Sequence, residues 1–86
     1  MLQEIEVGHV SHYFSQLSVA AIEIDQGSLA LGDTVHIKGH TSDFTQRIES
    51  IEINHQRVPE AGMGDSVCVK VLEHVREHDH VYKVVA

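Results

Sequence analysis

Basic residues are scarce: six Lys and Arg face 13 Asp and Glu, for a formal net charge of -7 with histidines neutral. Such a deficit opposes nonspecific attraction to phosphate backbones, which rests on clustered Lys and Arg. Cysteine is nearly absent. The single Cys68 can form no internal disulfide and excludes every cysteine-rich zinc arrangement, and its alternation with valines reads as structural. One proline, Pro59, and no low-complexity tract argue against wholesale disorder. Long hydrophobic runs are missing too: the uncharged stretch from Val7 to Ile22 is too polar and too short to span a bilayer. The start, Met1-Leu2-Gln3-Glu4, lacks the basic-then-apolar build of a secretory signal. These absences read as a cytoplasmic protein with no membrane partner. No Gly-rich phosphate loop, Gly-Lys-Ser/Thr or nucleophile elbow occurs, so neither nucleotide hydrolysis nor a catalytic triad is expected, and no cofactor.

What is present is a chain of 86 residues with room for one domain, residues 1–86, built on one core. Ile5 to Phe14 and Ser18 to Ile24 lack helical spacing and are rich in β-branched residues, so they read as the two strands of a hairpin. Asp25-Gln26-Gly27 and Gly32-Asp33 supply turns. Thr34 to Lys38 alternates cleanly, with Val35 and Ile37 on one face and Thr34, His36 and Lys38 on the other. Phe44 to Ile53 reads as the longest strand, but Ile48 falls out of step with Ile51 and Ile53, which predicts a β-bulge near Glu49-Ser50. A turn at Asn54-His55, a break at Pro59, a valine-alternating strand from Ser66 and a last strand His80–Val85 follow. Short strands, close turns and no amphipathic helix imply an all-β fold. In a chain this small, a closed antiparallel barrel of six or seven strands leaves no exposed edge.

One corner is written three times, as Gly32-Asp33-Thr34-Val35, Gly64-Asp65-Ser66-Val67 and His78-Asp79-His80-Val81. The segment from Gly27 to Ile37 that carries the first corner resembles the strand-turn-strand signature of the second domain of translational GTPases such as elongation factor Tu. Ile48-Glu49-Ser50-Ile51, Ala61 to Val67 and Val75 to Val81 resemble later parts of that domain in the same order. Gly8 to Phe14 and Lys38 to Gln46 are similar to signatures of short, stand-alone translation elongation factor-like proteins. Similar barrels also occur as C-terminal accessory domains of collagenase-like U32 peptidases, whose relatives modify tRNA or other RNA. The resemblance implies a translation-factor domain 2-like barrel without a GTPase. It would act as a non-enzymatic docking module on a protein or ribonucleoprotein partner in translation or an RNA-modifying assembly. The third corner departs from the pattern, with His78 where the others have glycine.

Within that frame the loop from Gly39 to Phe44 is the first candidate for binding, with His40, Thr41, Asp43 and Phe44 its chemistry-bearing residues. Direct RNA or tRNA binding is the alternative, and it requires Arg47, Arg57, Lys70, Arg76 and Lys83 to converge on one face. A third class is a metal site. The chain holds eight histidines, and His78 and His80 share a strand face at i, i+2 with His74 nearby. Valine-rich ends such as Val81 to Val85 also allow a homodimer through an open strand edge.

Overall fold

The computed structural model describes residues 2–85, so Met1 and Ala86, the ends of the expected domain, lie outside the described residues. The fold is all-β, with ten strands among the described residues: β1 Gln3–Phe14, β2 Val19–Ile24, β3 Ser28–Ala30, β4 Thr34–Lys38, β5 Asp43–Arg47, β6 Glu52–Ile53, β7 Gln56–Arg57, β8 Glu60–Gly62, β9 Ser66–Lys70 and β10 His80–Val85. Eight form an antiparallel sheet in the order β5-β4-β10-β1-β2-β9-β6-β7, and β3 pairs with β8 in a separate two-stranded sheet. The alternation read from the sequence holds in β4 and β9, whose buried faces are Val35 and Ile37, and Val67 and Val69; β2 alternates as well, burying Ala20, Ile22 and Ile24. With Val7, Val10, Leu29, Ile48, Ile51 and Val81 these side chains make one core, each burial stabilising the fold by about 1.5–3 kcal/mol.

Three expectations are corrected. The large sheet does not close into a barrel: β5 and β7 are its two edges, and the chain has more and shorter strands than the six or seven expected. Near β5 the seam is spanned by a side chain. Buried Gln46 donates its Nε2 to the Lys70 carbonyl at 2.9 Å and accepts the Leu72 N–H on Oε1 at 2.8 Å, the two bonds a neighbouring backbone would have made. The strand expected from Phe44 to Ile53 is also interrupted instead of bulged. β5 ends at Arg47, the chain leaves strand geometry from Ile48 to Ile51, and β6 restarts against β9. Breaking the strand lets Ile48 and Ile51, of opposite phase, both be buried. Bulges do occur, but in β1, between Glu6 and Gly8 and between Val10 and His12, and β1 is the longest strand. At the first of these Gly8 passes so close to β2 that a Cβ there would stand 2.1 Å from the Glu23 carbonyl oxygen.

The thrice-written corner is one structure used three times. Ala30, Gly62 and Arg76 each accept the N–H of the aspartate three residues on, at 3.1, 3.0 and 3.1 Å. Each also donates its own N–H to that aspartate's Oδ2 at 2.9 Å. The third residue is left-handed every time, at φ 89° for Gly32, 91° for Gly64 and 77° for His78. Its N–H and the aspartate carbonyl then bond both backbone groups of one buried apolar residue: Ile48, Ile24 and Val10 respectively.

Two measurements follow. Left-handed backbone costs an ordinary side chain about 1–2 kcal/mol, so His78→Gly is expected to raise the unfolding free energy in urea by about 1 kcal/mol. Gly64→Ala, where a Cβ meets nothing within 4 Å, should lower it by a similar amount through backbone strain alone. Unchanged midpoints for both would show the corners to be unstrained. Gln46→Leu removes both of these part-buried bonds and is expected to cost about 1–2 kcal/mol, with Leu72 losing amide-exchange protection first.

Candidate functional site

β4 and β10 lie side by side, pairing Lys38 with His80 and His36 with Tyr82. After β4 the chain reverses through Gly39–Ser42, closed by the Gly39 N–H on the Ser42 carbonyl at 2.8 Å. Gly39 is required here, since a Cβ on it would stand 1.8 Å from Oδ1 of buried Asp79. The loop therefore rests on the third corner, and Arg76 Nε donates to Thr41 Oγ1 at 2.8 Å across the junction. Between loop and corner runs a groove of about 530 Å³, lined chiefly by Lys38, His40, Arg76, His78, His80 and Tyr82.

The expected loop residues separate. His40 lines the groove and Thr41 fixes its arginine. Phe44 turns inward and is 8% exposed, a member of the core. Asp43 faces the outer surface, where its Oδ1 pairs with His36 Nε2 at 2.5 Å. The other ring nitrogen of His36 lies 2.9 Å from the Glu4 carboxylate. An imidazole with a carboxylate at both nitrogens satisfies both only when it donates from both, that is, as the cation. The bond to Asp43, followed by that to Glu4, raises the His36 pKa above its ordinary 6.5 against the opposing effect of desolvation. The same bond lowers that of Asp43.

The five basic residues named for RNA contact fall in several places. Arg57 and Lys70 line a second groove together with Glu49 and Glu52. Lys83 pairs with Asp33 at 3.4 Å, and Arg47 extends over Gly32 of the same corner. Arg76 stands apart in the first groove, beside Lys38. Of the three histidines named for a metal, His78 and His80 line the first groove, whereas His74 packs at a tilt against Tyr13 with ring centroids 4.6 Å apart. Among the described residues no group of three or more His, Cys, Asp and Glu is placed to hold a metal ion. Burial raises the Cys68 pKa, with the Glu52 charge adding to it, which keeps the thiol protonated. The groove residues missed as candidates are Lys38 and Tyr82. Alternation places Lys38 on the outer face, but only the β4–β10 pairing brings it to His80.

Two structures of the C-terminal domain of a putative U32 peptidase from Geobacillus thermoleovorans, one a selenomethionine variant, match with TM-scores of 0.83 and 0.84. They cover 90% of this chain and 89% and 96% of theirs, at 24% and 22% identity. The fold is that of this C-terminal domain. In sequence, the chain is 39% identical over 82 residues to a collagenase of Porphyromonas gingivalis and 40% identical over 81 residues to an uncharacterized protease of Methanocaldococcus jannaschii. These alignments take in 94% and 93% of this chain but 20% of either relative, so the chain spans about a fifth of the curated relatives it matches. No family model matches it. No helix among the described residues is long and apolar enough to cross a membrane.

The His36 clamp sets a pH window. A raised histidine pKa contributes stability that is complete below about pH 6.5 and is lost as pH rises through the folded value; a lowered aspartate pKa contributes stability present above about pH 4 and lost as pH falls through its folded value. The stability difference between the wild type and His36→Gln should therefore be widest between about pH 4 and 6.5. A difference that is flat from pH 5 to 8, or an NMR titration placing His36 below 6.5, would remove the clamp.

Proposed function

We propose that the chain is a non-catalytic accessory domain, the counterpart of the C-terminal domain of U32-type peptidases, and that it docks on a larger protein or ribonucleoprotein. The observation that carries this reading is the near-complete overlap with a solved C-terminal domain, set against coverage of only a fifth of the curated proteases. A segment so small a part of each protease leaves most of the enzyme elsewhere. The surface supports the same reading: the groove beside the Gly39–Ser42 loop lies open to solvent, and the side chains of the small core are packed against one another. The collagenase and protease names of the relatives then describe whole enzymes, to which this module would contribute binding. The motif resemblance to translation factors favours an assembly that handles RNA as the docking target. The acidic balance of the chain, -7, favours a basic protein surface on that assembly over bare nucleic acid.

The test is affinity capture of the tagged chain from its native cells at low and at moderate salt, with co-purified protein and RNA both identified. A U32-type peptidase body, or RNA-modifying or ribosomal components retained at moderate salt, is the expected recovery. The purified chain alone should hydrolyse neither gelatin nor casein. Turnover by the isolated chain, or capture of no such component at either salt, would overturn the accessory-domain reading.

A further inference from the structure

We infer that the groove between the Gly39–Ser42 loop and the third corner is a binding site for a phosphate group. The inference goes beyond the accessory-domain reading and stands without it, because it rests on how charges are partnered around this groove.

Several histidines away from the groove pair with carboxylates: His9 with Asp25 at 2.8 Å, and His36 with Glu4 and Asp43. The basic and imidazole side chains of the groove, His80 excepted, lack such a partner. Among the described residues neither Lys38, Arg76, His40 nor His78 has a carboxylate oxygen within 4.0 Å of its side-chain nitrogens, although the chain is strongly acidic. The two acids that border the groove are engaged elsewhere. Glu77 pairs outward with His12 at 3.5 Å, and Asp79 is turned into the corner, where its Oδ2 accepts the Arg76 N–H. His80 is held by Glu6 at 2.5 Å and closes the far side. The groove shared by Arg57 and Lys70 has Glu49 and Glu52 in its lining, and it lacks the imidazoles and the held arginine of the first.

Arg76 is also oriented in advance. Its Nε is committed to Thr41 Oγ1, which fixes the guanidinium plane and leaves the two terminal nitrogens for a ligand. A guanidinium fork, an ammonium and two imidazoles around an open space of about 530 Å³ match the several acceptor oxygens of a phosphate, and Tyr82 offers an aromatic face beside it. Phosphate of this kind could be free in solution or carried by a nucleic-acid strand. The two sources differ in how much of the groove they fill and in their salt dependence.

Isotope-labelled protein, titrated with inorganic phosphate and separately with a short single-stranded RNA, distinguishes them. In both titrations amide shifts are expected at Gly39, His40, Glu77 and His78, and both should weaken about tenfold or more in Arg76→Ala and in Lys38→Ala. Arg57→Ala, in the other groove, should bind as the wild type does. RNA binding much tighter than phosphate binding, with a salt slope that falls by about 0.7 for each cation removed, would assign the phosphate to a strand. Equal affinities and equal slopes would assign it to a free ligand. If Arg76→Ala loses its fold, Thr41→Val, which frees the guanidinium while keeping its charge, is read in its place and should lower affinity with an unchanged salt slope. Shifts that map to other residues, binding indifferent to Lys38 and Arg76, or no binding of either probe would overturn the site. Each result is obtained on the purified chain and is independent of what affinity capture recovers.

Discussion

An aspartate that bonds its own turn is the constraint on which the molecule is built. In each of the three corners the carboxylate accepts the first N–H of the turn while the aspartate N–H returns to the same residue, so two otherwise unpaired backbone groups satisfy each other locally. The left-handed residue between them aims one N–H at a buried partner, and the aspartate carbonyl receives that partner's N–H. Since Ile48, Ile24 and Val10 come from distant parts of the chain, each corner fixes both a reversal of direction and a long-range contact. A core of valines and isoleucines specifies no direction by itself, because dispersion and hydrophobic burial are not directional. The corners supply the direction.

The features that bear on function grow from the same device. The third corner carries Asp79, against which Gly39 packs, and this contact seats the loop whose Thr41 holds Arg76. The groove is thus the outer side of a structural joint. Its histidine at the left-handed position has a backbone cost that glycine would not incur, in a molecule that uses glycine at the other two equivalent points.

Much of this architecture is legible in the order of residues, for reasons that are local. Glycine followed by aspartate announces a corner, two-residue alternation announces β4 and β9, and Asn54-His55, both left-handed, announces the tight β6–β7 hairpin. The seam was not legible. Gln46 is polar, and only the arrival of Lys70 and Leu72 beside it explains its burial. Phase alone could not distinguish a bulge from a broken strand between Ile48 and Ile51, because both let the two side chains reach the core. At the candidate site the loop was legible as exposed and polar. Its meeting with Arg76, across 35 residues of sequence, was not.

The corner that joins Val10 to Asp79 spans almost the whole chain, and the ladder between β1 and β10 spans more of it. During synthesis the first strand therefore emerges with one edge unmated and must wait for the last to leave the ribosome before that edge is covered. Folding cannot be completed stepwise from the N-terminus; closure comes as a single late event, with slow, non-local kinetics typical of β topologies. A truncation that removes the last strand would then expose the whole edge of β1 and leave Val10 and the phosphate groove unmade together, so that the molecule's architecture and its binding surface are acquired, or lost, at the same moment.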